Sequence, residues 1–294
     1  MLVVAPLVPS LAGASEARSQ RIIVQGRPQD TGSNYKFENI MPALDKLGGV
    51  RKMRCREPFS GTPGWNTYIR LARAGVKFYF TLAGRDIAKS ISDLRSFIAN
   101  VPGSISAIEF PNEPDLNPVS YKAMIDPRLG FRSGQAPALM AFVEDFAAAI
   151  RNDPLLGAIP LIASNDYMQA EQRPFSSFAN SHIYPTANSK VAIRLDNFER
   201  LIAESGHKRG IITEWGRTTG GNSGNSTSPP VTVEMQASLL ASDISAVLER
   251  PAIEAVSIFE LFCWGGASEI NNFGLFNVDL SPRPVVAAIR SVIA

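Results

Sequence analysis

Cysteine and histidine are scarce in this chain, with two of each in 294 residues. Cys55 and Cys263 allow at most one disulfide, and each reads as a small buried apolar residue rather than half of a bridge. His182 and His207 are too few for a histidine-rich metal site, so neither a metal nor a cofactor is expected. His207, beside Gly206 after a helical stretch, reads as a solvated cap. A strong excess of either charge is missing as well. A formal net charge of +2 without long basic runs gives no electrostatic footprint for nucleic acid or a membrane surface, although the pI is about 8.6. No apolar run reaches membrane-spanning length. The one apolar stretch at the start, Met1 to Ala14, carries Pro6 and Pro9 and lacks a basic n-region. Its small Ala12-Gly13-Ala14 end suits signal peptidase, so residues 1–18 read as a signal-peptide remnant or flexible leader of a secreted or periplasmic protein.

With 45% hydrophobic residues, the remainder can bury one large core. Short β-branched or apolar runs alternate with stretches at helical spacing. Strands are predicted over Arg21 to Gln25, Val50 to Arg56, Val76 to Leu82, Ile105 to Phe110, Ile159 to Ala163, Phe178 to Ile183, Gly210 to Gly216 and Ala255 to Phe262. Helices are predicted over Phe37 to Leu47, Trp65 to Ala74, Ile87 to Asn100, Ala136 to Ile150, Val191 to Ser205, Val233 to Leu248 and Pro284 to Ile293, while the helix after the fifth strand is poorly marked. Eight strand-helix units of roughly 30 to 40 residues predict a single-domain (β/α)8 TIM barrel over residues 19–294. No Gly-rich phosphate loop opens a helix, which counts against an open doubly wound sheet.

Two of the strands end on a carboxylate. The run Ile108-Glu109-Phe110-Pro111-Asn112-Glu113-Pro114 stops at a polar pair closed by a proline that cannot continue the ladder, and Thr213-Glu214-Trp215-Gly216 closes the seventh strand. In a barrel, residues between a strand and its helix lie on the face where active sites form, so Glu113 and Glu214 can reach one point above the axis. Such a pair is the minimal apparatus for glycoside hydrolysis: a protonated carboxyl donates to the leaving oxygen while an ionised one attacks the anomeric carbon or activates water. A separation of about 5 to 5.5 Å retains configuration, and one of about 6.5 to 9.5 Å leaves room for the water of an inverting enzyme.

Asn112-Glu113-Pro114 after the fourth strand and Glu214 after the seventh resemble the marks of the clan A glycoside hydrolases. Gly274-Leu275-Phe276-Asn277-Val278-Asp279 and Pro282-Arg283-Pro284 are similar to that clan's eighth loop and closing helix. The resemblance implies a retaining β-glycosidase acting on a polysaccharide or oligosaccharide, with Glu113 as acid/base and Glu214 as nucleophile. It further implies that Asn112 binds the sugar 2-hydroxyl, that Arg54 holds the nucleophile ionised, that Tyr184 orients it, and that His182 lines the cleft beside Tyr184.

Among the remaining residues, Trp264 and Trp215 are the best candidates to stack on a sugar ring, with Trp65, Tyr35 and Tyr167 weaker. Asn165 falls near a strand end where it can meet sugar hydroxyls. Glu260 reads as a hydrogen-bonded barrel residue near the site, and Glu109 as facing either the barrel interior or the helices. A carbohydrate substrate is thus the expected partner of a monomer. Two alternatives stand beside this reading: a barrel that binds carbohydrate without catalysis, and a metal-dependent sugar enzyme using Glu113, Glu214 and Asp166 as ligands.

Overall fold

The computed structural model describes residues 18–84, 86–126, 136–166, 168–220, 230–266 and 268–294. The leader expected over residues 1–18 lies outside them except for Arg18, and Tyr167 also lies outside. Eight parallel strands form the sheet: β1 (Ile22–Gln25), β2 (Lys52–Arg56), β3 (Lys77–Thr81), β4 (Ile105–Glu109), β5 (Leu161–Ile162), β6 (Ala179–Ile183), β7 (Gly210–Trp215) and β8 (Ile253–Ile258). Their order is β5-β4-β3-β2-β1-β8-β7-β6. The two outer strands meet through a parallel bridge between Ile162 and Phe178 and backbone bonds from Ser177 N to Leu161 O (2.7 Å) and Ala163 N to Phe178 O (3.0 Å), which closes the barrel. This is the expected (β/α)8 barrel.

A helix follows each strand: α1 (Phe37–Lys46), α2 (Gly64–Arg73), α3 (Ile87–Asn100), α4 (Pro137–Arg151), α5 (Gln169–Gln172), α6 (Val191–Glu204), α7 (Val233–Leu248) and α8 (Pro284–Ile293). Side-chain caps start two of them, Asp86 accepting from Lys89 N and Thr232 from Met235 N, each satisfying a donor that the first turn leaves without a partner. The fifth unit is reduced. Its strand holds two residues in the ladder and its helix one turn, which is why its periodicity is faint in the sequence. Strand β8 ends at Ile258 rather than Phe262, because Glu260 leaves the ladder to meet Tyr35 and Trp264. A small antiparallel hairpin, Ser120–Tyr121 with Met124–Ile125, sits in the loop after β4 and rests on α4 through Tyr121, whose hydroxyl donates to Asp145 (2.7 Å). No helix among the described residues is long and apolar enough to cross a membrane.

Strand alternation sorts the core into two parts. Outward-facing residues such as Met53, Cys55, Phe78, Phe80 and Ile108 pack under the helices in the large cluster, where Phe78 stacks on Phe80 with centroids 5.2 Å apart and Phe97 of α3 meets both edge-on. Inward-facing Ile23, Tyr79, Ala107, Ile162, Ile211 and Ala255 form a small apolar floor inside the barrel. Above that floor the inward positions turn polar, with Gln25, Arg54, Glu109, Asn180 and Thr213. The floor keeps one end of the barrel dry, so the functional groups gather at the other. Gly210 lets α6 approach β7, since a Cβ there would lie 2.5 Å from Phe198 Cζ. Both cysteines are buried and free.

His207 is not a solvated cap. It is buried between Ser205 Oγ (2.8 Å from Nδ1) and Ser176 Oγ (2.9 Å from Nε2), and burial, with Arg173 nearby, pulls its imidazole down to about 4.

Trp215 is also corrected by the structure. The seventh strand carries a bulge: Ser181 and His182 of β6 pair with Ile212 and Glu214, and Val256 and Ile258 of β8 pair with Ile212 and Trp215, so β7 holds an extra residue on both sides. Thr213 and Glu214 therefore both serve the barrel interior, and Trp215 points outward with no exposed surface, its indole donating to Asp243 of α7 (3.0 Å). It cannot stack on a sugar. Asp243 also accepts two bonds from Arg217 (2.6 and 2.9 Å), and both side chains of that ion pair are buried. Asp243→Ala strands the Arg217 charge and is expected to destabilise the fold by about 3–5 kcal/mol, read as a lower denaturant midpoint in equilibrium unfolding.

Candidate active site

Arg54 is the hub of the polar layer. Its guanidinium donates from Nε (2.6 Å) and Nη2 (2.9 Å) to Glu109, from Nη1 to Glu214 (2.6 Å) and to Gln25, and from Nη2 to Asn112 Oδ1 (2.7 Å). Burial disfavours its charge, but Glu109 and Glu214 more than compensate and hold it firmly protonated. A buried guanidinium satisfied on this many donors is a rigid template rather than a surface ion pair.

Glu109 takes the barrel-facing of its two possible positions, as the alternation with Ala107 requires. Burial works against its charge, yet Arg54 and His182 hold its carboxyl at about 2. Asn180 Nδ2 donates to it as well (3.0 Å), and Thr213 Oγ1 lies 3.2 Å away with its hydrogen turned to Asn180. Glu109 and Asn180 thus fix Arg54 from below, a role that the sequence signals only through the period-two spacing of Glu109 and Asn180 with their inward neighbours.

Glu214 accepts from Arg54 on Oε1 and from the Tyr184 hydroxyl on Oε2. Burial raises a carboxyl, but His182, Arg54 and Tyr184 outweigh it and keep Glu214 below the ordinary carboxylate range, ionised at neutral pH. The Tyr184 hydroxyl is pushed well above its ordinary value by burial and by the Glu214 charge, so it remains a donor. If turnover needs ionised Glu214, the acid limb of kcat/KM reports its depressed pKa in the free enzyme. Tyr184→Phe removes a donor to the charged form. The limb is therefore expected to move up in pH, and kcat/KM to fall by about 10- to 100-fold, both read from a pH–rate profile.

Glu113 stands on the opposite side. Its φ of 45° lies in the left-handed region that non-glycine residues seldom adopt. The turn is held by Asn165 Oδ1, which accepts from Glu113 N (2.7 Å), and by the Glu113 carbonyl, which accepts from Leu116 N (3.0 Å) and Asn117 N (2.7 Å). Asn165 is thereby a backbone anchor, buried beneath Glu113, and its carbonyl oxygen is not offered to substrate.

His182 lies between the two glutamates, with Nδ1 3.0 Å from Glu113 Oε1 and 3.6 Å from Glu214 Oε2. Nε2 lies 3.1 Å from Thr213 Oγ1. The Thr213 hydroxyl donates to Asn180 Oδ1 (2.7 Å), so it accepts from His182 and Nε2 carries the hydrogen. Burial alone would push the imidazole down; Glu214 and the other nearby carboxylates overcome that and raise it to about 10.

A Glu113 oxygen, a Glu214 oxygen and a His182 ring nitrogen all lie within 4.8 Å of one another, which is ligand spacing for a metal ion. The donor set fits an ion poorly. Both Glu214 oxygens already accept protein hydrogen bonds, and Arg54 at 2.6 Å repels a cation. Asp166, the third ligand of the metal alternative, is turned away to accept from His182 N (3.1 Å) and lines a small flank cavity against α6.

Asn112, Glu113, Tyr184 and Glu214 line a cleft of about 790 Å³, with Phe259 and Phe273 along one side; His182 does not line it, because its side chain is buried behind the two glutamates and borders the flank cavity beside Asp166 instead. Trp264 is half-buried and is not among the lining residues. Its indole donates to Glu260 (3.0 Å), and the Arg27 guanidinium covers its ring at 4.7 Å. Of the weaker stacking candidates, Trp65 packs edge-on against Phe97, and Tyr35 is buried with its hydroxyl on Glu260 (3.1 Å).

No protein-family model matches this sequence, and no curated protein matches it. Solved structures do. A GH17 β-1,3-glucanosyltransferase from Rhizomucor miehei superposes with a TM-score of 0.68 at 14% identity, covering 92% of this chain and 98% of the other. A GH128 endo-β-1,3-glucanase from Amycolatopsis mediterranei gives 0.60 at 18% identity over 92% and 99% of the two chains. A GH2 β-galacturonidase from Eisenbergiella tayi gives 0.65 at 14% identity, and there this chain spans 92% of itself but only half of the longer enzyme. At these identities the likeness is one of fold. The barrel is shared with glycoside hydrolases of several families.

Proposed function

We propose that the protein is a retaining β-glycoside hydrolase of the clan A type, cleaving a polysaccharide or oligosaccharide by double displacement. The observation that carries the reading is the pair Glu113 and Glu214, which face one cleft with a carboxylate oxygen of each within 4.8 Å of the other, Glu214 held ionised and aimed by Arg54 and Tyr184. The glycoside hydrolases among its structural neighbours support the reaction class. Glu214, ionised and aimed by Arg54 and Tyr184, attacks the anomeric carbon. Glu113, the more exposed of the two, gives its proton to the departing oxygen. Water then enters with Glu113 as base, and the glycosyl–Glu214 ester is hydrolysed with configuration restored.

His182 carries a hydrogen on Nε2, so the contact between its Nδ1 and Glu113 holds one further proton for the pair. Asn112 has its carbonyl oxygen on Arg54, which leaves its amide nitrogen to donate to a sugar hydroxyl in the cleft. The proposal extends to a monomer working outside the cytoplasm.

Hydrolysis of aryl β-glycosides and of a glycan panel, with and without a chelator, tests this reading. Turnover that survives chelation, gives the β-configured sugar first and is lost in both glutamate variants supports it. Loss of turnover on chelation with recovery on adding a divalent ion would favour the metal alternative. Glycan binding without turnover would favour the non-catalytic barrel.

A further inference from the structure

Above the catalytic layer, one wall of the cleft carries two arginines that the proposed mechanism does not use. Gln25 of β1 and Arg54 of β2 are register partners. Arg27 and Arg56 stand two residues beyond them on the neighbouring strand ends, and both line the cleft. By alternation, Arg56 shares the inward face of Arg54, but where Arg54 is buried and fully paired, Arg56 is exposed and makes no ion pair among the described residues. Like charges on adjacent strands repel, so a fold gains nothing from this placement by itself.

Arg27 is held for display. Its Nε lies 3.3 Å from Glu260 Oε2 and its guanidinium stacks on Trp264, yet about a third of the side chain remains exposed. Glu260 is itself buried, with Tyr35 and Trp264 as donors, and burial pushes its carboxyl up to about 7, so it cancels the Arg27 charge only in part. Asp30 also lines this wall, and it forms no ion pair with either arginine among the described residues.

We propose that Arg27 and Arg56 form an anion-binding subsite of the cleft, so that the substrate is a glycan bearing an acidic sugar, carboxylated or sulfated, next to the bond that is cleaved. The planar guanidinium fork matches a carboxylate or sulfate in two-point contact, and stacking on Trp264 fixes the orientation of one fork in advance. Neutral glycans place hydroxyls there, which leave the two charges unanswered. The proposal rests on the hydrolase reading for its cleft but not for its test.

The test is direct binding, by calorimetry, of three β-linked gluco-oligosaccharides of equal length, neutral, glucuronate-containing and sulfated, to the Glu214→Gln protein. One or both acidic ligands are expected to bind at least about tenfold tighter than the neutral one, as charge-assisted contacts allow, with an advantage that shrinks as salt is raised. Which acidic ligand gains more tells carboxylate from sulfate. In the same background Arg56→Gln should remove most of that advantage and Arg56→Glu should reverse it; Arg56 is exposed, so neither change should disturb folding, which circular dichroism checks. Equal or tighter binding of the neutral ligand, or an acidic preference untouched by Arg56→Glu, overturns the proposal. An acidic oligosaccharide that binds but is never cleaved by the parent leaves the subsite standing and sinks the hydrolase reading. Efficient cleavage of neutral glycans with no acidic preference does the reverse.

Discussion

Replacing Glu214 with alanine is expected to lower kcat by a factor on the order of 10⁴ or more, the scale seen when a nucleophile is removed from a preorganised site. The change leaves Arg54 with Glu109, Gln25 and Asn112 still in place, so the cleft keeps its template and loses only the attacking group. Added azide can enter the vacated space and attack the anomeric carbon once. The rescued product is then a glycosyl azide of inverted configuration, assigned by proton NMR. Loss of activity without rescue leaves the nucleophile unproven, whereas a rescued product of retained configuration removes Glu214 from that role.

Replacing Glu113 with alanine is expected to slow cleavage of natural glycosides by about 10²–10⁴-fold, the usual contribution of a positioned general acid. Aryl glycosides with acidic phenols need no proton on leaving, so their first step should be spared. They should instead show a burst of phenol followed by a slow phase, because the ester on Glu214 then lacks the base that activates water. Azide should again restore turnover, here with retained configuration, since it attacks the ester after Glu214 has already inverted the centre once. Opposite azide stereochemistry in the two variants assigns the two roles independently. If both variants slow aryl and natural glycosides alike, Glu113 is not the acid.

The parts of the site that were legible in the sequence are those where a local rule and the fold agree. Glu113 is marked because Pro114 forbids continuation of the strand, and Arg54, expected beside the nucleophile, does reach Glu214 from the inward face of β2. Tyr184 and His182 lie two residues apart on an inward face, and both reach the glutamates as that spacing requires. The misses have equally definite causes. Period-two counting assumes an unbroken ladder, and the bulge in β7 turns Glu214 inward and sends Trp215 into the core. Asn165 is a polar residue at a strand end in the right place, but its one carbonyl oxygen is committed to the Glu113 backbone, a contact 52 residues away that no local pattern reveals. Trp264 sits near the cleft as its loop implies, but Arg27 covers its ring. Glu109 was open between two faces; it shares the inward one with Ala107, where it meets Arg54 and Asn180.

The fifth unit is fainter in the sequence than the other seven because it is shorter. Seven units carry strands of four to six residues in register with their neighbours and helices of ten residues or more, long enough for periodicity to register. The fifth supplies two ladder residues and a four-residue helix, and barrel closure there rests on loop backbone from Ser177 and Ala163.

In the proposed mechanism Glu214 forms a covalent bond to the sugar. Incubating the parent enzyme with a 2-deoxy-2-fluoro glycoside of a sugar that it turns over, followed by peptide mass spectrometry, tests it directly: the fluorine slows both steps, and a reactive leaving group restores the first. A stable adduct on the peptide containing Glu214 and time-dependent loss of activity are expected. An enzyme that hydrolyses the parent glycoside yet carries no adduct, or carries it on another residue, would contradict it.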